Sequence, residues 1–204
     1  KPLVITQQFP FDDETVGEGT VEMATVMASF APMPTFPKWK IKSKFTFRNW
    51  TPEELAPFCS FMLRRAPSDD VTAAVGAFNP ILLGRKSNSI DPESAVVPAR
   101  EGAVMWAHAG ALWNDESVAE QALEWVKELW EILDPICSPT AFYNCPELEL
   151  GSQWTDPPKL DYVRAYWSSA SHDFVPFLIE VKNKYDPGDV FWGAQTIPLS
   201  LTES

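Results

Sequence analysis

The sequence predicts an α+β fold, an antiparallel sheet covered by helices on one face, and three observations carry that prediction. The run Trp39-Lys-Ile-Lys-Ser-Lys-Phe-Thr-Phe-Arg48 alternates with period two, the mark of a half-buried strand. Ser117 to Leu133 places Val118, Ala122, Trp125, Val126, Leu129 and Leu133 at helical spacing, so one apolar stripe runs along an acidic helix. The elements follow one another as strand, helix, strand, strand, helix, strand, an order that suits an antiparallel sheet with helices gathered on one side.

Residues 1–37 come first. Val16 to Phe30 reads as a short amphipathic element, and Pro32, Pro34 and Pro37 then impose an extended linker, because no helix interior tolerates them. In the strand that follows, Trp39, Ile41, Phe45 and Phe47, interrupted by Ser43, form the face expected in the core. Lys38, Lys40, Lys42 and Lys44 alternate with them and read as charges that protect a sheet edge. Thr51-Pro-Glu-Glu54 places a cap, a first-turn proline and first-turn acids in their favoured positions, which predicts a helix to about Arg65.

Val71 to Phe78 is small and β-branched enough for an inner strand, Gly84 to Pro92 is a polar turn-rich excursion, and Ala103 to Trp113 is a second inner strand. Pro135 ends the long helix. Thr140 to Asn144 reads as a short strand and Pro146 to Pro158 as irregular chain. A last helix over Phe174 to Lys184, with Phe177, Leu178 and Val181 on one face, breaks at Tyr185-Asp-Pro-Gly188. Trp113, Trp130 and Trp154 are assigned to packing.

Composition bounds the rest. A chain of 204 residues that is 45% hydrophobic and 13% aromatic can build a packed core. With 28 acidic against 16 basic residues the net charge is −12, which disfavours contact with nucleic acid or an anionic membrane. No apolar run approaches the roughly 20 residues needed to span a bilayer, and no basic-then-apolar leader opens the chain, so a soluble protein is expected. A start at Lys1 is what a processed or partial polypeptide would show.

Cys59, Cys137 and Cys145 have no CxxC spacing and His108 and His172 are the only histidines, so no metal site is expected. Either one disulfide with a free thiol or three buried thiols fits the cysteines. Asn49-Trp-Thr51 fits an N-glycosylation acceptor, which suits a secreted or extracellular protein. No carboxylate pair has the arrangement of a glycosidase, and Ser168-Ser-Ala-Ser171 lacks the G-x-S-x-G turn of a hydrolase.

The C-terminal stretch Lys182-Asn-Lys-Tyr-Asp-Pro-Gly-Asp-Val-Phe191, running on to Gln195-Thr-Ile-Pro198, closely resembles the end of the berberine bridge enzyme-like flavin-linked oxidases of the vanillyl-alcohol oxidase superfamily, where VKxKYDPxNxFxxxQSIP is characteristic. Trp39 to Leu55 is similar to the strand that precedes the family's PEE helix. Ser94-Ala-Val-Val-Pro-Ala-Arg-Glu-Gly102 resembles its SAIPFPHRxG run, and Ala141-Phe-Tyr-Asn-Cys-Pro-Glu-Leu-Glu-Leu-Gly151 resembles AYxNYRDLDLG. These matches keep their order over about residues 38–198.

The resemblance implies FAD as cofactor and a chain that forms most of a substrate lobe, whose partner is the FAD-binding N-terminal portion of the same enzyme. It divides the chain into an N-terminal element and linker at 1–37, substrate-domain sheet and helices at 38–165, and a C-terminal segment at 166–204 that packs on the absent FAD-binding lobe. Nothing here resembles a glycine-rich pyrophosphate loop, so this chain alone is not expected to hold the dinucleotide.

By strand count the place of the family's catalytic glutamate is Trp106, which takes no proton. His108, on the same strand face, is an imidazole of ordinary pKa near 6.5 and is the candidate base; a strand histidine bonded to a neighbour is the other reading. The resemblance assigns cofactor contact to Asn144, which could instead tie down the turn into Pro146, and to Phe142, Tyr166 and Phe174, with His172 the alternative at the last position. The resemblance puts Cys145 where the family carries a tyrosine, a small core residue being the other reading, and Tyr143 could supply the lost hydroxyl if the local register shifts. Both are candidate substrate contacts, as are Phe78 and Met105, which plain core would also explain.

The expected function is therefore hydride removal from an alcohol, sugar or secondary metabolite, with dioxygen reoxidising the flavin. A redox-neutral cyclase on the same fold and a binding fragment without catalysis are the alternatives.

Overall fold

The computed structural model describes residues 38–70, 72–83, 85–94 and 96–201. The amphipathic element expected over Val16 to Phe30 and its linker lie outside the described residues. Strand β1 (Lys38–Thr46) is followed by helix α1 (Pro52–Arg64), strand β2 (Ala74–Leu82), the short helix α2 (Arg85–Asn88) and strand β3 (Met105–Trp113). Helices α3 (Ala119–Leu133), α4 (Asp161–Trp167) and α5 (Val175–Tyr185) complete the order.

The three strands form an antiparallel sheet in the order β1-β3-β2. The α+β class therefore holds, with β3 central. The Val71-to-Phe78 region, read as an inner strand, instead supplies an edge strand that starts at Ala74 and carries Pro80, a residue without an N–H that an edge position accommodates. Thr140 to Asn144 forms no strand but an extended segment and turn, tied to β1 by Phe45 N–H to Thr140 O (3.0 Å) and Ser138 N–H to Phe45 O (2.8 Å).

Alternation along β3 decides the two faces of the sheet. Ala109, Ala111 and Trp113 are buried against the α3 stripe of Ala122, Trp125, Val126, Leu129, Trp130 and Leu133, and Ala107 is buried on the same strand face. The small alanines let the helix approach closely: at Gly76 of β2 an added Cβ would stand 2.4 Å from the Trp125 ring. The cap of α1 forms as its sequence dictates, with Glu54 N–H donating to Thr51 Oγ1 at 3.3 Å and Thr51 N–H to Glu54 Oε2 at 2.9 Å.

The Trp39 face of β1 is not buried under helices: Trp39 is 63% exposed, and it is the lysine face that borders α3. Lys42 Nζ sits 5.7 Å from the Trp130 ring and pairs with Glu147 (2.9 Å) and Glu149 (3.1 Å), Lys40 with Glu149 (2.7 Å) and Lys44 with Asp134 (2.8 Å). Lys38 pairs with Glu116. The lysines thus do more than blunt an edge: they neutralise the acidic end of α3 and the turn before Gly151. Period two revealed two faces, but only the position of α3 decides which one it covers.

A second core joins Ala141, Tyr162, Val163, Tyr166 and Val175. It packs α4, a helix for which the sequence carries no assigned element, against α5. A division between residues 165 and 166 cuts through α4 and this cluster. On α5, Val175 and Ile179 face the cluster, whereas Phe177 is 55% exposed, so the stripe turns away from the face expected. Among the described residues no helix is long and apolar enough to cross a membrane.

Candidate functional site

The sheet face away from α3 carries Trp106, His108, Gly110 and Leu112 of β3 between Trp39, Ile41, Ser43 and Phe45 of β1 and Val75, Ala77, Asn79 and Ile81 of β2, directly opposed in register. None of these residues is charged. His108 lies at the centre, with Ser43 across from it on one side and Asn79 on the other. It is half-buried, its ring 5.2 Å from that of Trp106, and burial alone holds its imidazole below the ordinary value. At neutral pH His108 is therefore an uncharged proton acceptor.

An aromatic row extends from it. Trp106 packs on Phe142 at 4.5 Å between ring centroids, Phe142 on Tyr143 at 5.1 Å, and Tyr143 stacks on Trp167 at 4.7 Å. The turn that brings Phe142, Tyr143, Asn144 and Cys145 here is closed by Cys145 N–H donating to Phe142 O at 2.8 Å. Ser43, 1% exposed, fastens that turn to the sheet: its Oγ accepts the Phe142 N–H at 3.1 Å. Burial pushes the Cys145 thiol up, against a hydrogen bond with Ser43, so it is no activated nucleophile. Asn144 is exposed at the tip of the turn.

The structure thus brings His108, Trp106, Phe142, Tyr143 and Cys145 together, with Asn144 beside them. It takes four other candidates elsewhere. Phe78 pairs with Ala109 on the helix-covered face, its ring 4.7 Å from Phe58, because strand alternation puts it one residue out of phase with the open face. Met105 is out of phase with Trp106 and His108 for the same reason.

Tyr166 is buried in the second core, where its hydroxyl donates to Gln195 Oε1 (3.0 Å) and accepts the Glu147 N–H (2.8 Å), which makes it an anchor for the C-terminal segment. Phe174 is 8% exposed and stacks on His172 at 5.7 Å, just before α5. Ser43, Asn79 and Trp167 were missed as site residues. For Ser43 the signal was present, since a serine interrupting an otherwise apolar strand face marks a polar task on that face.

The C-terminal segment is held by its own side chains. Gln195 donates to Glu147 O and Gly151 O, both at 2.7 Å, and Tyr162 donates to Thr196 O at 2.7 Å. The Asp186 carboxylate accepts the Val190 and Phe191 N–H groups and pairs with Lys182. Beyond that loop Val190, Phe191 and Trp192 are exposed, as is Trp154, which meets Trp192 edge-on instead of packing in a core.

All three cysteines are free, with Cys59 exposed and the other two partly buried, so neither a disulfide nor three buried thiols is found. Among the described residues no cluster of His, Cys, Asp and Glu could hold a metal.

Residues 141–198 match the family model described as "Berberine and berberine like". "Berberine bridge enzyme-like 6" of Arabidopsis thaliana is 29% identical over 124 residues, which is 59% of this chain and 22% of the relative. "Tetrahydroberberine oxidase" of Berberis wilsoniae is 24% identical over 170 residues, 82% of this chain and 31% of the relative. Among solved structures CrmK, titled a flavoenzyme involved in the shunt product recycling mechanism in caerulomycin biosynthesis, superposes with a TM-score of 0.61 at 25% identity. That match covers 79% of this chain and 32% of CrmK. The aligned region thus spans less than a third of the length of each of these proteins.

Proposed function

We propose, for a chain that is berberine bridge enzyme-like in sequence and in fold, that it forms the substrate side of an FAD-linked oxidoreductase acting on a small organic molecule. The observation that carries the reading is the uncharged His108 centred on an aromatic, charge-free sheet face.

That face fits one side of a flat ring system: Trp106, Phe142 and Tyr143 offer ring surface, and no ion pair has to be desolvated to cover it. The dinucleotide would be held by the FAD-binding N-terminal portion of the same enzyme. Bound flavin would supply the acceptor for a hydride and, with dioxygen, its own reoxidation to give hydrogen peroxide.

This chain's residues would do the rest. The aromatic row orients a flat alcohol or secondary metabolite and excludes water from its reacting carbon. His108, neutral before the reaction, takes the hydroxyl proton as the C–H bond is broken, and its half-buried setting keeps it unprotonated until then. Trp106, where the family carries a glutamate, serves as wall and not as base. The row favours flat or apolar substrates over free hexoses.

The exposed Val190, Phe191, Trp192 and Trp154 support contact of the C-terminal segment with the FAD-binding portion. The exposed Asn49 of Asn49-Trp-Thr51 supports a secreted protein.

The test uses the full-length protein. It should be yellow, lose its flavin absorbance anaerobically when an oxidisable aromatic alcohol is added, and release peroxide in air. His108→Gln should lower kcat/KM by about 10²–10⁴-fold, the usual contribution of a positioned general base. A yellow protein that converts substrate without peroxide would favour the redox-neutral cyclase, and a colourless one would overturn the flavin reading.

A further inference from the structure

The stretch 96–102, within the run that resembles SAIPFPHRxG, forms one wall of the aromatic face. Ala99 (1% exposed) and Ala103 (buried) pack with Phe45, Phe47, Trp106 and Phe142. Left-handed backbone marks both ends of the stretch. Val96 has φ 51°, a costly state for a β-branched residue, and Gly102 has φ 79°, which only a residue without a Cβ takes freely.

Among the described residues its backbone hydrogen bonds are local, Val97 N–H to Pro92 O at 3.2 Å and Arg100 N–H to Val97 O at 3.1 Å. Among the described residues the side chain of this stretch that bonds to a distant element is Glu101, whose Oε2 stands 2.6 Å from Nε2 of His172.

The two partners are held differently. His172 belongs to a tight turn between α4 and α5: its N–H donates to Ser169 Oγ at 3.2 Å, its carbonyl accepts the Ser169 N–H at 2.7 Å, and its ring lies parallel to Phe174. Glu101 stands on the loop, 57% exposed. A side chain fixed in a turn therefore adds one distant polar contact to a wall that is otherwise held by the packing of Ala99.

We infer that Glu101 and His172 form a strap that keeps residues 96–102 closed over Trp106 and Phe142, making them positioning residues that control access to the aromatic face. The functional meaning of the strap rests on the reading of that face as the substrate side. Its mechanics do not.

The test is hydroxyl-radical footprinting of the 204-residue chain, read by mass spectrometry at Trp106 and at Trp130, which is buried between α3 and the sheet and serves as the internal control. Glu101→Gln and His172→Gln should each raise oxidation of Trp106 by roughly two- to fivefold, the size expected from losing a part-exposed pair, while Trp130 stays unchanged. Reversing the pair, Glu101→His with His172→Glu, should restore the low value.

Unchanged oxidation of Trp106 in both single variants would overturn the strap. So would an equal rise at Trp130, which would mean general loosening. None of these readouts depends on flavin or turnover, so failure of the oxidoreductase reading would appear separately, in the spectrum of the full-length protein.

Discussion

Ser43 of β1 lies directly across from His108 of β3, and its hydroxyl oxygen accepts the Phe142 N–H at 3.1 Å. One small buried side chain thus joins the candidate base, the strand beside it and the turn that carries Phe142, Tyr143, Asn144 and Cys145. Replacing Ser43 with alanine leaves that part-buried N–H without its acceptor, at an expected cost of about 1 kcal/mol. Urea denaturation should show the loss, with faster amide exchange at residues 142–145. An unchanged midpoint would mean that the turn does not depend on Ser43.

His108 should titrate, by NMR of its ring, below the ordinary value of about 6.5. Its pKa is lower in the folded than in the unfolded chain, so between the two values the unfolded state binds more protons. Its effect on stability is therefore absent above the unfolded pKa, and stability falls as pH drops from there towards the folded value. His108→Gln should flatten that part of the stability–pH curve. A midpoint at or above the ordinary value would remove the argument for a neutral base.

Gly76→Ala should destabilise the fold although alanine is otherwise an acceptable strand residue. Its Cβ would stand 2.4 Å from Trp125, a ring with no exposed surface whose Nε1 is committed to Arg65 O at 3.1 Å. The ring cannot turn aside without giving up that bond, and overpacking of this kind costs about 1–3 kcal/mol. Thermal unfolding reads the loss directly, and an unaltered midpoint would show that α3 can shift outward freely.

The three thiols should separate by reactivity. Burial pushes the Cys137 thiol up to about 12, and Cys145 is also raised, whereas Cys59 is exposed on α1. Alkylation at pH 8, read by peptide mass, should label Cys59 first and Cys137 last. Slow labelling of Cys59 would place α1 under cover that the described fold does not provide.

Several elements were legible because their signals are local. The cap and first turn at Thr51 to Glu54, the α3 stripe and the alternation of β1 all depend on neighbours within one or two turns of chain, and each forms where the residues indicate. The joint placement of Trp106 and His108 on one face also follows from period two alone. Helix α4 was not legible in Asp161 to Trp167, because two turns bounded by irregular chain carry too short a pattern to distinguish from a loop. The exposed Phe177 has a similar cause: α5 has apolar residues on more than one side, and contact with Tyr162 and Tyr166 selects among them.

By itself the sequence determined the α+β class, the two faces of each strand and the berberine-like character of residues 141–198, since these rest on local periodicity, backbone preference and motif order. Tertiary structure alone decided which face of β1 is covered, the separation of Phe78 and Met105 from His108, and the burial of Tyr166 as an anchor for Gln195. It also decided the meeting of Glu101 with His172 across the molecule. The physical reason is that strand order and helix placement are settled by summed burial over distant segments. A strand of period two offers two faces, and only the packed whole determines which of them meets solvent, helix or ligand.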